Sequence, residues 1–334
     1  TLINPRTVIF AAHCVNSRTE GAYGAPSGGT PIAFGFETST RANAAGQEDE
    51  LISWLFGRPD GSGRHQTNVA RSFYNVNYVN YNPLSLDPNS ATFLIADVAT
   101  ASLDTPAANV PPWALLFSQL PAKPIDPVNG TGYHVNLAGY GGNGTGTSGT
   151  FSIDYRRRIA ENTLGALASL DEFENFLFDT SSTTNPQNLY WIDFDDPLRG
   201  TAGASPYDFN AWRDNALPNE GTTAGGDSGG PLILDREFAK QVLIGVLSGG
   251  YTRFYPGAPA NGYGTAKFYQ PLYLYWDYIV ANNPYHYVGS IAGSRNWEDP
   301  THWVTQLDPA YQIIVDGQLV NGLPTDPGAG NTEK

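Results

Sequence analysis

Residues 225–233 read Gly225-Gly226-Asp227-Ser228-Gly229-Gly230-Pro231-Leu232-Ile233. Glycine accepts backbone angles that other residues avoid, so this run specifies a tight turn with its N–H groups turned inward. An apolar strand begins where the glycines end. The chain must therefore display one serine, preceded by an acid, on a turn between hydrophobic strands. The N–H groups of Gly226 and Ser228 can hold the negative oxygen of a tetrahedral acyl intermediate. A bare Gly/Ser turn occurs in ordinary loops, but the full run followed by a strand is far more specific.

A nucleophilic serine needs a base. Five histidines are present: His13, His65, His134, His286 and His302. Only His13 ends an apolar run, Val8-Ile9-Phe10-Ala11-Ala12, which delivers the ring at the end of a rigid strand. His65 lies in a polar stretch and reads as a solvated loop. The other three read as serving strands or turns. The base in turn needs a carboxylate to orient it. Asp97 follows Phe93-Leu94-Ile95-Ala96 and precedes Val98-Ala99. A buried acid at a strand end is costly unless paired, and an imidazole N–H is a suitable partner. Asp87 and Asp104, with proline and polar residues nearby, are poorer choices.

These residues resemble those of the chymotrypsin-like (trypsin-type, S1) serine proteases. The matching stretches are Thr1-Leu2-Ile3-Asn4 with Ala11-Ala12-His13-Cys14, Ile95-Ala96-Asp97-Val98-Ala99, Gly139-Tyr140-Gly141, residues 225–232 and Ser248-Gly249-Gly250. They occur in the family's order of His, Asp, Ser and span about residues 1–280. The resemblance implies an all-β fold of two antiparallel six-stranded β-barrels with a closing C-terminal helix and the site between the barrels. It implies Ser228 as nucleophile, His13 as general acid/base and Asp97 as orienter, with Gly226 and Ser228 supplying the oxyanion N–H groups. Thr222, Thr223 and Gly225 would line the substrate pocket. Ser248, Gly249 and Gly250 would form an edge strand pairing with the substrate backbone. The activity implied is that of a serine endopeptidase acting on a protein or peptide, with no cofactor and no metal.

Three departures qualify the resemblance. Thr222 stands where trypsin-like members carry a pocket aspartate, so a basic P1 side chain (the residue before the cleaved bond) would go unpaired. With Gly249 opening one wall, a neutral P1, small or hydrophobic, is expected. Thr1 falls within the strand region leading to His13, and the chain has no methionine. The expectation is a cleaved or truncated chain, with a separate N-terminal segment completing the first barrel. Thr1 is tethered too near His13 for its amine to pair with Asp227, as zymogen-type relatives require. Cys14 is the single cysteine, so no intrachain disulfide can form. The plainer reading is a small residue buried beside His13; the resemblance offers instead a disulfide to the preceding segment.

With 18 Lys and Arg against 32 Asp and Glu, the net charge is −14. That argues against nucleic acid or an anionic membrane as partner, since both require a cationic surface. The 37 glycines and 25 prolines suit short strands and many turns. No apolar run reaches the roughly 18 residues of a membrane helix.

Along the chain, residues 37–68 form an excursion with a short helix over 48–55. Residues 72–81 alternate as a strand, 141–149 read as a glycine/threonine loop, and 164–178 show helical spacing. Asn129 and Asn143 head sequons expected to be chance. Residues 180–221 read as a polar, acidic cleft wall. Within it, Asp193, Asp195 and Asp196 are expected to be a solvated acidic loop rather than a calcium site. Residues 276–280 look like the closing helix, which ends a protease domain over 1–284. The Gly/Asn/Trp style of 285–334 resembles the start of a β-helix stalk, or a linker, in bacterial autotransporter passengers. Cysteine poverty fits that class, and the expected location is secreted or on the bacterial outer-membrane surface. Two other functions remain open: a binding or adhesive module with catalysis lost, and a hydrolase of nonprotein amides or esters using the same three residues.

Overall fold

Short alternating apolar runs, cut by glycine and proline, form nineteen strands and three α-helices among the described residues. The computed structural model describes residues 1–24, 28–42, 45–86, 95–123 and 132–324. Asp87, Phe93, Leu94, the Asn129 sequon and the tail beyond residue 324 lie outside the described residues.

The first sheet holds β1 (Leu2–Asn4), β2 (Thr7–Phe10), β3 (Ala33–Gly35), β4 (Phe73–Tyr81) and β5 (Ala99–Leu103), in the order β1-β2-β5-β4-β3. The remaining strands are β6 (Leu115–Leu116), β7 (Tyr133–Gly139), β8 (Gly142–Thr145), β9 (Gly149–Ile153), β10 (Arg158–Leu164), β11 (Ala166–Ser169), β12 (Asn188–Asp193), β13 (Pro231–Leu234), β14 (Val242–Tyr251), β15 (Ala266–Pro271), β16 (Tyr287–Ser290), β17 (Trp303–Gln306), β18 (Tyr311–Val315) and β19 (Gln318–Asn321). The second sheet runs β10-β7-β13-β14-β15-β12-β11, and β6, β18 and β19 extend it from β14. Pairing is antiparallel except where β6 meets β14 and β18. The molecule is thus mostly β, built on two curled half-barrel sheets.

Strand β2 is a wall shared by two cores. Its period-two alternation sends Val8 and Phe10 into the core of the first sheet, with Tyr74, Val76 and Leu103. Ile9 and Ala11 face the other way, into the core of the second sheet with Val135, Leu232 and Val246. The strand that leads to His13 is therefore clamped from both sides.

Helix α1 (Glu50–Phe56) matches its expected position, with the Asp49 side chain accepting from the Ile52 N–H. Helix α2 (Leu170–Phe178) begins with a capping box between Ser169 and Glu172. The helical spacing read from residue 164 fails before Ser169, where β10 ends and β11 pairs with β12 instead. Residues 141–149 are not wholly a loop, since β8 and β9 form a hairpin there. The stretch 180–221 is not wholly polar either. Strand β12 inside it is buried throughout, and Trp191 stacks on Phe173 at 4.0 Å. Helix α3 (Trp276–Ala281) lies where the closing helix is expected. Beyond it, β16 and β17 form a hairpin, while β18 joins the main sheet through β6. The Tyr311 ring packs 5.1 Å from Phe117.

Replacing Ile9 by Ala removes packing on the second-sheet side of the shared wall, because Ile9 is fully buried. The expected cost is about 2–5 kcal/mol. It should appear as a lower urea midpoint with an unchanged denaturant slope.

Candidate active site

After β2, a 3-10 turn over Ala12–Cys14 buries Ala12 and lifts His13 toward the surface. Asp97 lies in the segment before β5 and is completely buried. Its carboxylate accepts from the His13 backbone N–H at 2.7 Å and lies 2.8 Å from the ring Nδ1. A third bond comes from Ser248 Oγ in β14, at 2.6 Å. Ala96, just before the acid, holds φ of 50°, a conformation that costs a non-glycine residue energy. Buried polar contacts hold it there: its N–H donates to Gln187, Gln187 donates to Gln270, and Gln270 donates to Ser248.

Partial burial opposes charge on the His13 ring. The Asp97 bond and charge, together with Cys14, outweigh it and push the imidazole up to about 10. Cys14 itself is exposed, which corrects the expectation of a buried residue beside His13. The 3-10 turn faces it outward while Ala12 and Val15 take the core positions.

The serine turn is held by its acid. Asp227 accepts from the N–H groups of Gly141 at 2.7 Å and Ala224 at 2.9 Å. Glycines at 139 and 141 make room for it, since a Cβ at Gly139 would lie 1.9 Å from the carboxylate. Thr1 is engaged elsewhere, its amine donating to the Ile9 carbonyl at 2.8 Å. Gly226 and Gly229 adopt φ of 94° and 80°, which only glycine takes readily. A Cβ on Gly229 would lie 2.8 Å from the Ala11 nitrogen, so the turn backs directly onto the strand that carries His13. The Gly229 N–H also bonds the Leu247 carbonyl, next to Ser248.

Ser228, Gly225 and Gly226 are exposed at the tip of this turn, Thr222 is half-buried and Thr223 is buried. Neither the Gly226 nor the Ser228 N–H donates to another group among the described residues. Strand β13 stops pairing with β14 at Val246, so Gly249 and Gly250 pair with β15 alone, while Ser248 sits in a bulge between Leu247 and Gly249. They leave an open edge beside the serine, although β14 as a whole is an interior strand.

His65 and His134 are engaged elsewhere. His65 packs on Trp54 at 5.0 Å, and His134 lies 2.9 Å from Glu161 on the neighbouring β10. Asp104 accepts from Thr67.

The acidic segment 193–196 is buried, not solvated as expected. Asp193 ends a core strand, and the following residues fold back under 208–221. Carboxylate oxygens of Asp193, Asp195 and Asp214 lie within 4.8 Å of one another. Arg199 bonds Asp195 and Asp208. Burial and then mutual repulsion push Asp193 far above the usual carboxylate range. Burial also lifts Asp195 to about 7, against the pull of Arg199, and Glu220 to about 8.

Ser248 as a donor to Asp97 was not anticipated from the sequence, which assigned it only to the substrate edge. No protein-family model and no curated protein matches the chain.

The acid cluster carries a testable penalty. The folded value of Asp193 lies above its unfolded value of about 3.9. Ionisation therefore opposes folding as pH rises above about 4, and stability falls. Asp193→Asn should raise the urea midpoint at pH 8 and leave it nearly unchanged at pH 4.

Proposed function

We propose that the chain is a serine endopeptidase that cleaves peptide bonds through an acyl-enzyme on Ser228. The observation that carries this reading is a buried carboxylate bonded to the His13 ring, with the Ser228 turn packed onto the strand that feeds that ring. The two curled sheets are then the halves of two six-stranded barrels, with the substrate bound between them. Ser228 Oγ attacks the scissile carbonyl carbon while His13 Nε2 takes the hydroxyl proton. Asp97 holds Nδ1–H and stabilises the imidazolium. The oxyanion is received by the unused N–H groups of Gly226 and Ser228. Collapse expels the amine, which leaves with the proton from His13. Water then repeats the sequence on the ester and frees Ser228. The open edge at residues 248–250 pairs with the substrate backbone as an added strand. Thr222 offers no carboxylate to a basic P1 residue.

An exported location, secreted or on a bacterial surface, belongs to the same reading. The acidic composition, the single cysteine and the strand-rich extension after residue 284 support it.

A fluorophosphonate probe should label Ser228, and Ser228→Ala should abolish the label. Peptide turnover in Ser228→Ala or His13→Ala should fall by about 10⁴ or more. A folded, unlabelled wild-type protein would instead be a binding module on this architecture.

The base must be neutral to act. Because its partners raise the His13 value to about 10, kcat/KM should climb as pH rises on the alkaline side. Asp97→Asn should move that limb to lower pH and reduce kcat by about 10⁴. A limb that stays in place would show that Asp97 does not control the ring.

A further inference from the structure

The face of β15 opposite Gly250 carries a buried cation. Lys267 pairs with Gly250 across the sheet, and such partners project to the same side. The lysine stem crosses the glycine, since a Cβ on Gly250 would lie 2.5 Å from Lys267 Cδ. Gly250 belongs to the open edge beside Ser228. The segment before the serine also approaches β15. Tyr269, two residues along β15, faces Thr223 and Asp227, and Lys267 feels the Asp227 charge. The lysine therefore neighbours both Gly250 of the substrate edge and the acid that precedes Ser228.

Lys267 is only 4% exposed. Its ammonium donates to Asn261 Oδ1 at 2.5 Å and to the Tyr251 carbonyl at 3.3 Å. Both acceptors are neutral. Among the described residues no carboxylate lies within ion-pairing distance of it. Asp227, the nearest acid that acts on it, spends its oxygens on Gly141 and Ala224. A buried ammonium without a counter-ion is costly, and a ligand carboxylate would relieve that cost.

We infer that Lys267 is the specificity-determining residue of the pocket and selects an acidic P1 side chain, so that cleavage follows Asp or Glu. This rests on the peptidase reading above. Thr222 alone points to a neutral P1; Lys267 adds the charge that Thr222 lacks. Burial holds the lysine down to about 7, and an incoming carboxylate favours its charged form.

The test is cleavage of fluorogenic peptides that differ only at P1, with fluorophosphonate labelling of Ser228 measured on the same preparation. The expected result is a kcat/KM for Glu or Asp that exceeds Gln or Asn by about 30-fold or more. Lys267→Gln should collapse that ratio and Lys267→Arg should retain most of it, with circular dichroism reporting the fold of each. A labelled wild-type enzyme that prefers Ala, Leu, Phe, Lys or Arg at P1 overturns the role of Lys267 and leaves the peptidase reading standing. Wild-type protein with neither label nor cleavage overturns both.

Discussion

A carboxylate with no exposure to water must be fully satisfied, and Asp97 organises the site around that demand. Its donors come from both halves of the molecule: the His13 backbone and ring from the turn after β2, and Ser248 from β14. Each bond is charge-assisted, so each is strong and directional. The two sheets cannot shift relative to each other at this point without leaving a buried charge short of a partner. The ring of His13 is consequently fixed by packing on one side and by charge on the other. The left-handed Ala96 conformation is the local cost of turning Asp97 into this position, offset by the Gln187 and Gln270 contacts.

A second, half-buried acid performs the same service for the serine turn. Asp227 is anchored by N–H groups from its own loop and from Gly141 in the turn after β7, and glycines at 139 and 141 are small enough to admit it. Anchoring the acid frees the neighbouring N–H groups. Among the described residues those of Gly226 and Ser228 donate to no other group, and they lie beside an exposed hydroxyl. The site thus has a rigid base layer of two carboxylates and a solvent-facing layer of Ser228, His13 and the open strand edge.

The acidic cluster of β12 and its following loop shows the opposite economy. Asp193, Asp195 and Asp214 crowd together with Arg199 as their cation, and their proton affinities rise accordingly. Lys267, on the adjacent β15, is a buried cation whose proton affinity falls. Both result from burying charge with incomplete compensation.

The turn at residues 225–233, the strand before His13, the buried setting of Asp97 and the helix near residue 50 were legible in the sequence alone. Glycine tolerance, period-two alternation and capping act over a few residues, so a linear reading captures them. Beyond the His13–Asp97 pair, partner choice over long separations was not legible. Ser248 meets Asp97, Lys267 lies opposite Gly250, Cys14 faces solvent, and residues 193–196 lie buried rather than in water. Each of these depends on strand register and on which segment packs above which. A one-residue slip in register would reverse them without changing any local pattern. The sequence by itself therefore determined the reactive groups and their local turns. Only the tertiary structure decided the remaining partners, Ser248 on Asp97 and Lys267 across from Gly250, because strand register sets them.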